Sequence, residues 1–454
     1  MSSQKTKLII GVVAIAVVAG AFALSQSYNA EKEQQIEQQE NEKIIFNRSE
    51  ATIKKYVVSS SEGTTTFNKG DDTNWHIEGN EDAPLVQISI DQAIAFLNGL
   101  EYTQKIEGGM ATSSDYGLDK GITDEAYDEN GQLVFKITVG NKTVDETGYY
   151  ACVDGDDSVY IIDSEPGKAL SYGPNSFRDR YPSYVDYSDI KSLDITIRDG
   201  RKYSVIPNPA GEISDGYGEY LLSGYYSFDV PVISDKLAEN IGGPVYEIFA
   251  VDFIDNPESD ETYGFNNPLM VCSDSDNQGN ECVITIGNEA GDGKVYAKFS
   301  GKNYVCTVYK EKVDKIYNAN MFDIIGKRFI NDSYDAFSEI TIKDNTFSGT
   351  YAIDAENKSV TLNGRNTDMS TFGEIYKSIA AITMDGEAIN PLPEGAASVG
   401  EIRLVYNSSG DVLDLKFYDY DNNYYAVERN GSIDFITGKR SLLQITEAVK
   451  ALVQ

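Results

Sequence analysis

Apolar and polar residues alternate along much of the chain with a period of two, the spacing that sends alternate side chains to one face of a β-strand. Phe135, Ile137 and Val139 in "FKITVG" follow it, as do Cys282, Ile284 and Ile286 in "CVITIG". These runs come in pairs around glycine-bearing turns, which predicts β-hairpins. "GYYACVDGDDSVYII" at 148–162, "KVYAKFSGKNYVCTV" at 294–308 and "NYYAVERNGSIDFI" at 423–436 share one frame. Each has Tyr-Ala, alternation, a turn at Gly155, Gly301 or Gly431, then alternation again. A second hairpin precedes each, at 125–140, 270–287 and 403–419.

Upstream of the hairpins the period becomes helical. Ile90, Ala93, Ile94, Leu97 and Leu100 share one helix face, with Asp91 near the N-cap. "SDKLAENIGG" from Ser234 and "STFGEIYKSIAA" from Ser370 hold the same place in the later copies, and paired strands open each copy with Ile53, Ile190 and Phe337 aligned. "GKRSLLQITEAVKALVQ" reads as a closing helix. The chain therefore repeats a unit of strands, helix, hairpin and hairpin three times, over 46–180, 181–325 and 326–454. Mostly antiparallel sheet with a packed helix is an α+β fold, and tandem units of this kind are expected to stack along one axis.

The N-terminus follows another rule. Lys5 and Lys7 precede an uncharged run from Leu8 to Leu24, long enough to span a bilayer at about 1.5 Å per residue. Positive charge ahead of the run places residues 1–7 in the cytoplasm and the bulk of the chain outside, as a single-pass protein of the cell membrane. Ala21-Phe22-Ala23 resembles a small-x-small cleavage site, so a removed signal peptide is the alternative to a retained anchor. Residues 25–45, containing "EKEQQIEQQENEK", read as a polar helical stalk.

Charge and rare residues narrow the chemistry. A net charge of −34 over 454 residues argues against binding a nucleic-acid backbone and fits a solvated exterior. The single histidine, His76 beside Trp75, excludes a zinc site with several His ligands and reads as a strand residue. Cys152, Cys272, Cys282 and Cys306 contain no C-x-x-C pair; Cys272 and Cys282 flank a hairpin turn, either as a disulfide or as two small buried apolar residues. Asp154, Asp156 and Asp157 could cage a hard cation, but the other copies place Ser300, Lys302 and Asn303, or Asn430 and Ser432, at that turn. They are read as a solvated turn. Asp274 and Asp276 start like a calcium loop that Thr285 leaves incomplete, and Asp419 and Asp421 are equally partial. No catalytic, cofactor-binding or metal-binding residue is assigned, and no cofactor is expected. Tyr217, Tyr220, Tyr225 and Tyr226, in the least repetitive insert, are candidates for gripping a protein partner or stacking on a glycan. The alternative is a strand pair covering the junction of units one and two.

With these motifs in place, the first unit resembles the domain of unknown function 4340 family. The likeness rests on "WHIEG" at Trp75, the helix from Asp91, "YGLDK" at Tyr116-Gly117-Leu118, "FKITVG" and "YYACVDGDDSVYII". Unit two retains "YGFNNP" at Tyr263 to Pro268, and unit three keeps only the hairpin pattern. Asp119-Lys120-Gly121 stands where such proteins often carry a proline. The resemblance implies membrane-anchored extracytoplasmic components of the kind encoded beside ABC transporters of the gliding-motility type, and it transfers no catalytic residue. The expectation is a non-enzymatic membrane-anchored scaffold or accessory protein of an ABC-transporter or cell-envelope complex, with protein partners. A carbohydrate- or cell-wall-binding module is the alternative, and a carboxylate-pair hydrolase is third.

Overall fold

A computed structural model describes residues 43–46, 52–61, 63–181, 185–186 and 189–453. The apolar run 8–24 and the stalk through residue 42 lie outside the described residues. Among the described residues, no helix is long and apolar enough to cross a membrane. The chain divides into two compact units, 1–180 and 181–454.

The first unit holds an eight-stranded sheet. Its strands are β1 (Ile53–Ser60), β2 (Gly63–Lys69), β3 (Trp75–Ile77), β4 (Tyr102–Ile106), β5 (Ile122–Asp128), β6 (Leu133–Lys142), β7 (Gly148–Val153) and β8 (Val159–Asp163). They lie in the order β3-β2-β1-β5-β6-β7-β8-β4. Helix α1 (Gln87–Leu97) leads from β3 to β4, and α2 (Ser164–Leu170) follows β8. Every neighbouring pair is antiparallel.

The second unit repeats this plan twice. Its first sheet comprises β9 (Ile190–Ile197), β10 (Lys202–Pro207), β11 (Tyr217–Ser223), β12 (Val230–Ile233), β13 (Phe253–Ile254), β14 (Met270–Asp276), β15 (Glu281–Gly291), β16 (Lys294–Phe299) and β17 (Val305–Tyr309), in the order β12-β11-β10-β9-β14-β15-β16-β17-β13. The last sheet comprises β18 (Phe337–Asp344), β19 (Ser348–Asp354), β20 (Ser359–Leu362), β21 (Arg365–Thr367), β22 (Gly386–Glu387), β23 (Gly400–Tyr406), β24 (Val412–Asp419), β25 (Tyr424–Arg429) and β26 (Ser432–Gly438). Its order is β21-β20-β19-β18-β23-β24-β25-β26-β22. The protein is thus α+β with three similar antiparallel sheets. One apolar cluster runs through the second and third sheets, from Leu193 and Ile284 to Leu404 and Phe417.

Each sheet joins two meanders at their first strands, and Ile53, Ile190 and Phe337 each begin the joining strand. Buried Phe135, Ile137 and Val139 on β6 match buried Cys282, Ile284 and Ile286 on β15, so alternation alone sets the inward face. Between the meanders a helix and a short strand carry the chain to the far edge, where β4, β13 or β22 pairs with the last strand of its sheet.

Two local expectations are corrected. Helix α1 starts at Gln87, so Asp91 lies inside it rather than near its N-cap. Gln87 sets the start by gripping β3: its Oε1 accepts from the Trp75 backbone N–H at 2.6 Å and its Nε2 donates to the Trp75 carbonyl at 2.9 Å. Residues 43–45 do not continue a helical stalk. Ile44 bridges Glu101, and Phe46 stands edge-on to Phe135 at 5.3 Å, because an apolar triad gains more from the core than from a solvated helix.

The Tyr-Gly motifs lock against the ends of β6 and β15. A Cβ on Gly140 would fall 2.4 Å from the Tyr116 carbonyl oxygen, and one on Gly287 would fall 2.0 Å from that of Tyr263. Gly117, at φ +71°, and Gly264, at φ +83°, lie against the side chains of Asn141 and Asn288. The third sheet places Tyr418 and Asp419 at the Gly-Asn position, since Phe417 pairs with Gly400 as Val139 pairs with Ile122. Clamp and motif are therefore lost there together.

Candidate functional site

Above β9–β11 the helical segment of the middle sheet is interrupted. It begins as α3 (Ser234–Leu237), widens into a π turn (Ala238–Gly242) and resumes as α4 (Gly243–Tyr246). Such turns insert extra backbone into a helix and recur at functional sites. Between this segment and the sheet lies a cleft of 440 Å³, within the usual size range of small-molecule sites. Ile190, Leu193 and Val205 form its buried base, and Leu237 and Ala238 form its helix side. Exposed Glu219 and Tyr246 stand at its rim. The Ser234 Oγ is buried with no hydrogen-bond partner. Burial and the nearby Glu219 carboxylate raise the Tyr220 phenol above its ordinary pKa.

Of the four tyrosines singled out by sequence, only Tyr220 lines this cleft. Tyr217 donates to Asn331 Oδ1 at 2.9 Å, its ring pressed where a side chain on Gly326 would stand. Tyr225 and Tyr226 meet edge-to-face at 4.9 Å in the connection from β11 to β12. The Tyr226 ring lies 4.6 Å from Phe435, and its hydroxyl donates to Glu387 Oε1 at 2.8 Å. The next residue, Ser227, donates its backbone N–H to Asp434 Oδ2 at 3.0 Å. Glu387, Asp434 and Phe435 all belong to the third sheet. The insert thus joins the second and third sheets, because its edge connection projects onto β22 and β26. These contacts favour a structural role for Tyr225 and Tyr226 over sugar stacking.

Cys272 and Cys282 share a buried face but not a register: Cys272 pairs with Ile284, and Cys282 with Asp274. Both are free thiols, which burial pushes up to about 12. Of the acids of the first hairpin turn, Asp156 serves the turn itself, while Asp154 lies 3.7 Å from the Lys136 ammonium on β6. Asp156 accepts from the Ser158 N–H at 2.9 Å and from the Tyr160 hydroxyl, which hold its carboxyl down at about 2. Asp276 likewise accepts from Gln278, Asn280 and Asp186. Among the described residues, no group of three or more His, Cys, Asp or Glu is placed to hold a metal ion.

One titratable group escaped the sequence reading. Asp124, fully buried in the first sheet, accepts a hydrogen bond from Tyr56 on Oδ1, while its Oδ2 has no partner. Burial raises its carboxyl to about 8, and the Tyr56 hydrogen bond opposes that rise. Its parity with buried Ala126 on β5 was the available signal. By register the same place holds Cys272 in the second sheet and Ile402 in the third.

Compared with known proteins, residues 75–268 match the family model of a domain of unknown function (DUF4340). The match runs from β3 to the residues just before β14 and includes both Tyr-Gly motifs. No curated protein and no solved structure matches the chain.

Proposed function

We propose that this chain is a membrane-anchored extracytoplasmic protein that acts without catalysis, as a scaffold or accessory part of an ABC-transporter or cell-envelope complex. The observation that carries the reading is the threefold use of one sheet plan, which supports repeated folded surfaces for protein partners. The apolar run behind Lys5 and Lys7 supports a tether to the membrane, and the family match over residues 75–268 supports the kinship on which the transporter association rests. Crosslinking in intact cells, followed by identification of the captured neighbours, tests it. Transporter or envelope components are the expected products, and their absence from the captured set counts against the reading.

A further inference from the structure

The cleft of the middle sheet lies where the other two sheets pack aromatic rings. In each sheet the joining strand meets the second strand at one register: Tyr56 pairs with Phe67, Leu193 with Val205, and Ile340 with Tyr351. In the first sheet Tyr56 and Phe67 stack at 6.1 Å, and Phe177 stands edge-on to them at 5.8 and 5.5 Å. All three rings are fully buried. Phe177 ends a four-residue helical turn, Pro174–Phe177, and the next residue, Arg178, bridges Leu85 just ahead of α1. The second sheet repeats that connection with Met321–Ile324, followed by Ile325, which bridges Val232 just ahead of Ser234. Ile324 therefore holds the place of Phe177.

The third sheet fills the space from the helix instead. Phe372, the fourth residue of the helix Met369–Ala380, packs on Tyr351 at 5.0 Å. The fourth helical residue is Ile90 in the first copy and Leu237 in the second. The middle sheet thus offers Leu193, Val205, Ile324 and Leu237 where its neighbours in sequence use rings. Its helix is interrupted beside the cleft by the π turn at Ala238–Gly242.

We infer that this cleft binds a small uncharged or cationic molecule carrying an apolar group the size of an aromatic ring. The ring seats on Leu193 and Val205, as the Tyr56 and Phe67 rings seat on each other. The exposed Glu219 carboxylate at the rim provides for a hydrogen-bond donor or an ammonium on the ligand. Glu219, on a chain of net charge −34, disfavours a carboxylate ligand.

The test uses the full chain in lipid nanodiscs, titrated with 2-phenylethylamine, indole and phenylacetate, with empty nanodiscs subtracted. Calorimetry is expected to show binding of the amine and of indole, with phenylacetate weaker than either. Val205→Phe restores the ring of the first sheet and is expected to abolish binding of both. Ala238→Trp, at an exposed position on the helix side, is expected to do the same if Val205→Phe folds poorly. Glu219→Gln is expected to weaken the amine about fivefold, the worth of one exposed charge pair, and to leave indole unchanged. No binding of the amine or indole by the native chain overturns the assignment, as does undiminished binding in both filled variants. Phenylacetate binding as tightly as the amine overturns the charge preference. None of these outcomes depends on what crosslinks to the chain in cells.

Discussion

The first and middle sheets share one plan and register, with one further edge strand in the middle sheet, yet they use the same inner positions in opposite ways. The first stacks Tyr56, Phe67 and Phe177 and seals a carboxyl, Asp124, beneath them. The middle one places Leu193, Val205 and Ile324 at those positions, puts Cys272 where Asp124 stands, and leaves a 440 Å³ cleft. One strand plan therefore accommodates a closed core or an open site, the two differing in side-chain volume and in the π turn that interrupts the middle helix. Interiors are close-packed, so replacing rings with aliphatics leaves space unless the backbone moves inward.

The largest effect that tests this contrast comes from Asp124. Its folded pKa of about 8 lies far above the ordinary value of about 3.9, so between these values the folded chain holds a proton that the unfolded chain releases. The contribution of Asp124 is fully present below about pH 4, falls as the pH rises toward about 8, and then levels off, by a total on the order of 5 kcal/mol. Urea unfolding from pH 4 to 9 is expected to show this slope in the native chain and to lose it in Asp124→Asn. Cys272→Ala is expected to leave the slope below about pH 7.5 intact, because the Cys272 thiol, pushed up to about 12 in the folded chain, is neutral there in both the folded and the unfolded chain.

Truncation at the shared register comes next. Phe67→Ala is expected to lose about 3–5 kcal/mol, because a fully packed ring disappears. Val205→Ala, beside an open cleft, is expected to lose only about 1 kcal/mol in the same urea measurement. Equal losses would refute the distinction between filled core and open site.

The Tyr-Gly clamp is common to both sheets, so its glycines should behave alike. Gly140→Ala and Gly287→Ala are each expected to lose about 1–3 kcal/mol, since the added carbon meets a carbonyl oxygen of the opposing turn. Hydrogen exchange at Tyr116–Gly121 and at Tyr263–Gly264 should quicken accordingly. The smallest effect is at the join of the second and third sheets. Tyr226→Phe keeps the ring and removes the hydrogen bond to Glu387, with an expected loss of about 1 kcal/mol and no change in the first unit.

Much of the fold was legible because its signals are local. Period-two alternation marks the hairpins, and their turns place Gly155, Gly301 and Gly431 at φ +81°, +74° and +95°. The far-edge strands were not legible: Phe253–Ile254 is too short for any period and exists through its pairing with Val305 and Cys306. The start of α1 was misplaced because Gln87 is held by Trp75, a contact no helix rule contains. Of the candidate site, the sequence offered Tyr220 alone. The other three tyrosines sit in packing contacts, with Asn331, with each other and with Phe435, and Asp124 was missed because a lone acid beside an alternating run gives no sign of how deeply its face is buried.

By itself, then, the sequence determined the hairpins, the helices, the threefold repetition and the α+β class, since each follows from the spacing of apolar residues and from glycine turns within a few residues. The tertiary structure decided where space remains and which distant groups meet. Whether Phe177 or Ile324 arrives over the joining strand depends on a chain segment more than a hundred residues away. Volume and burial are sums over such segments, so the cleft, the sealed Asp124 and the Tyr226–Glu387 contact became visible only once the chain was folded.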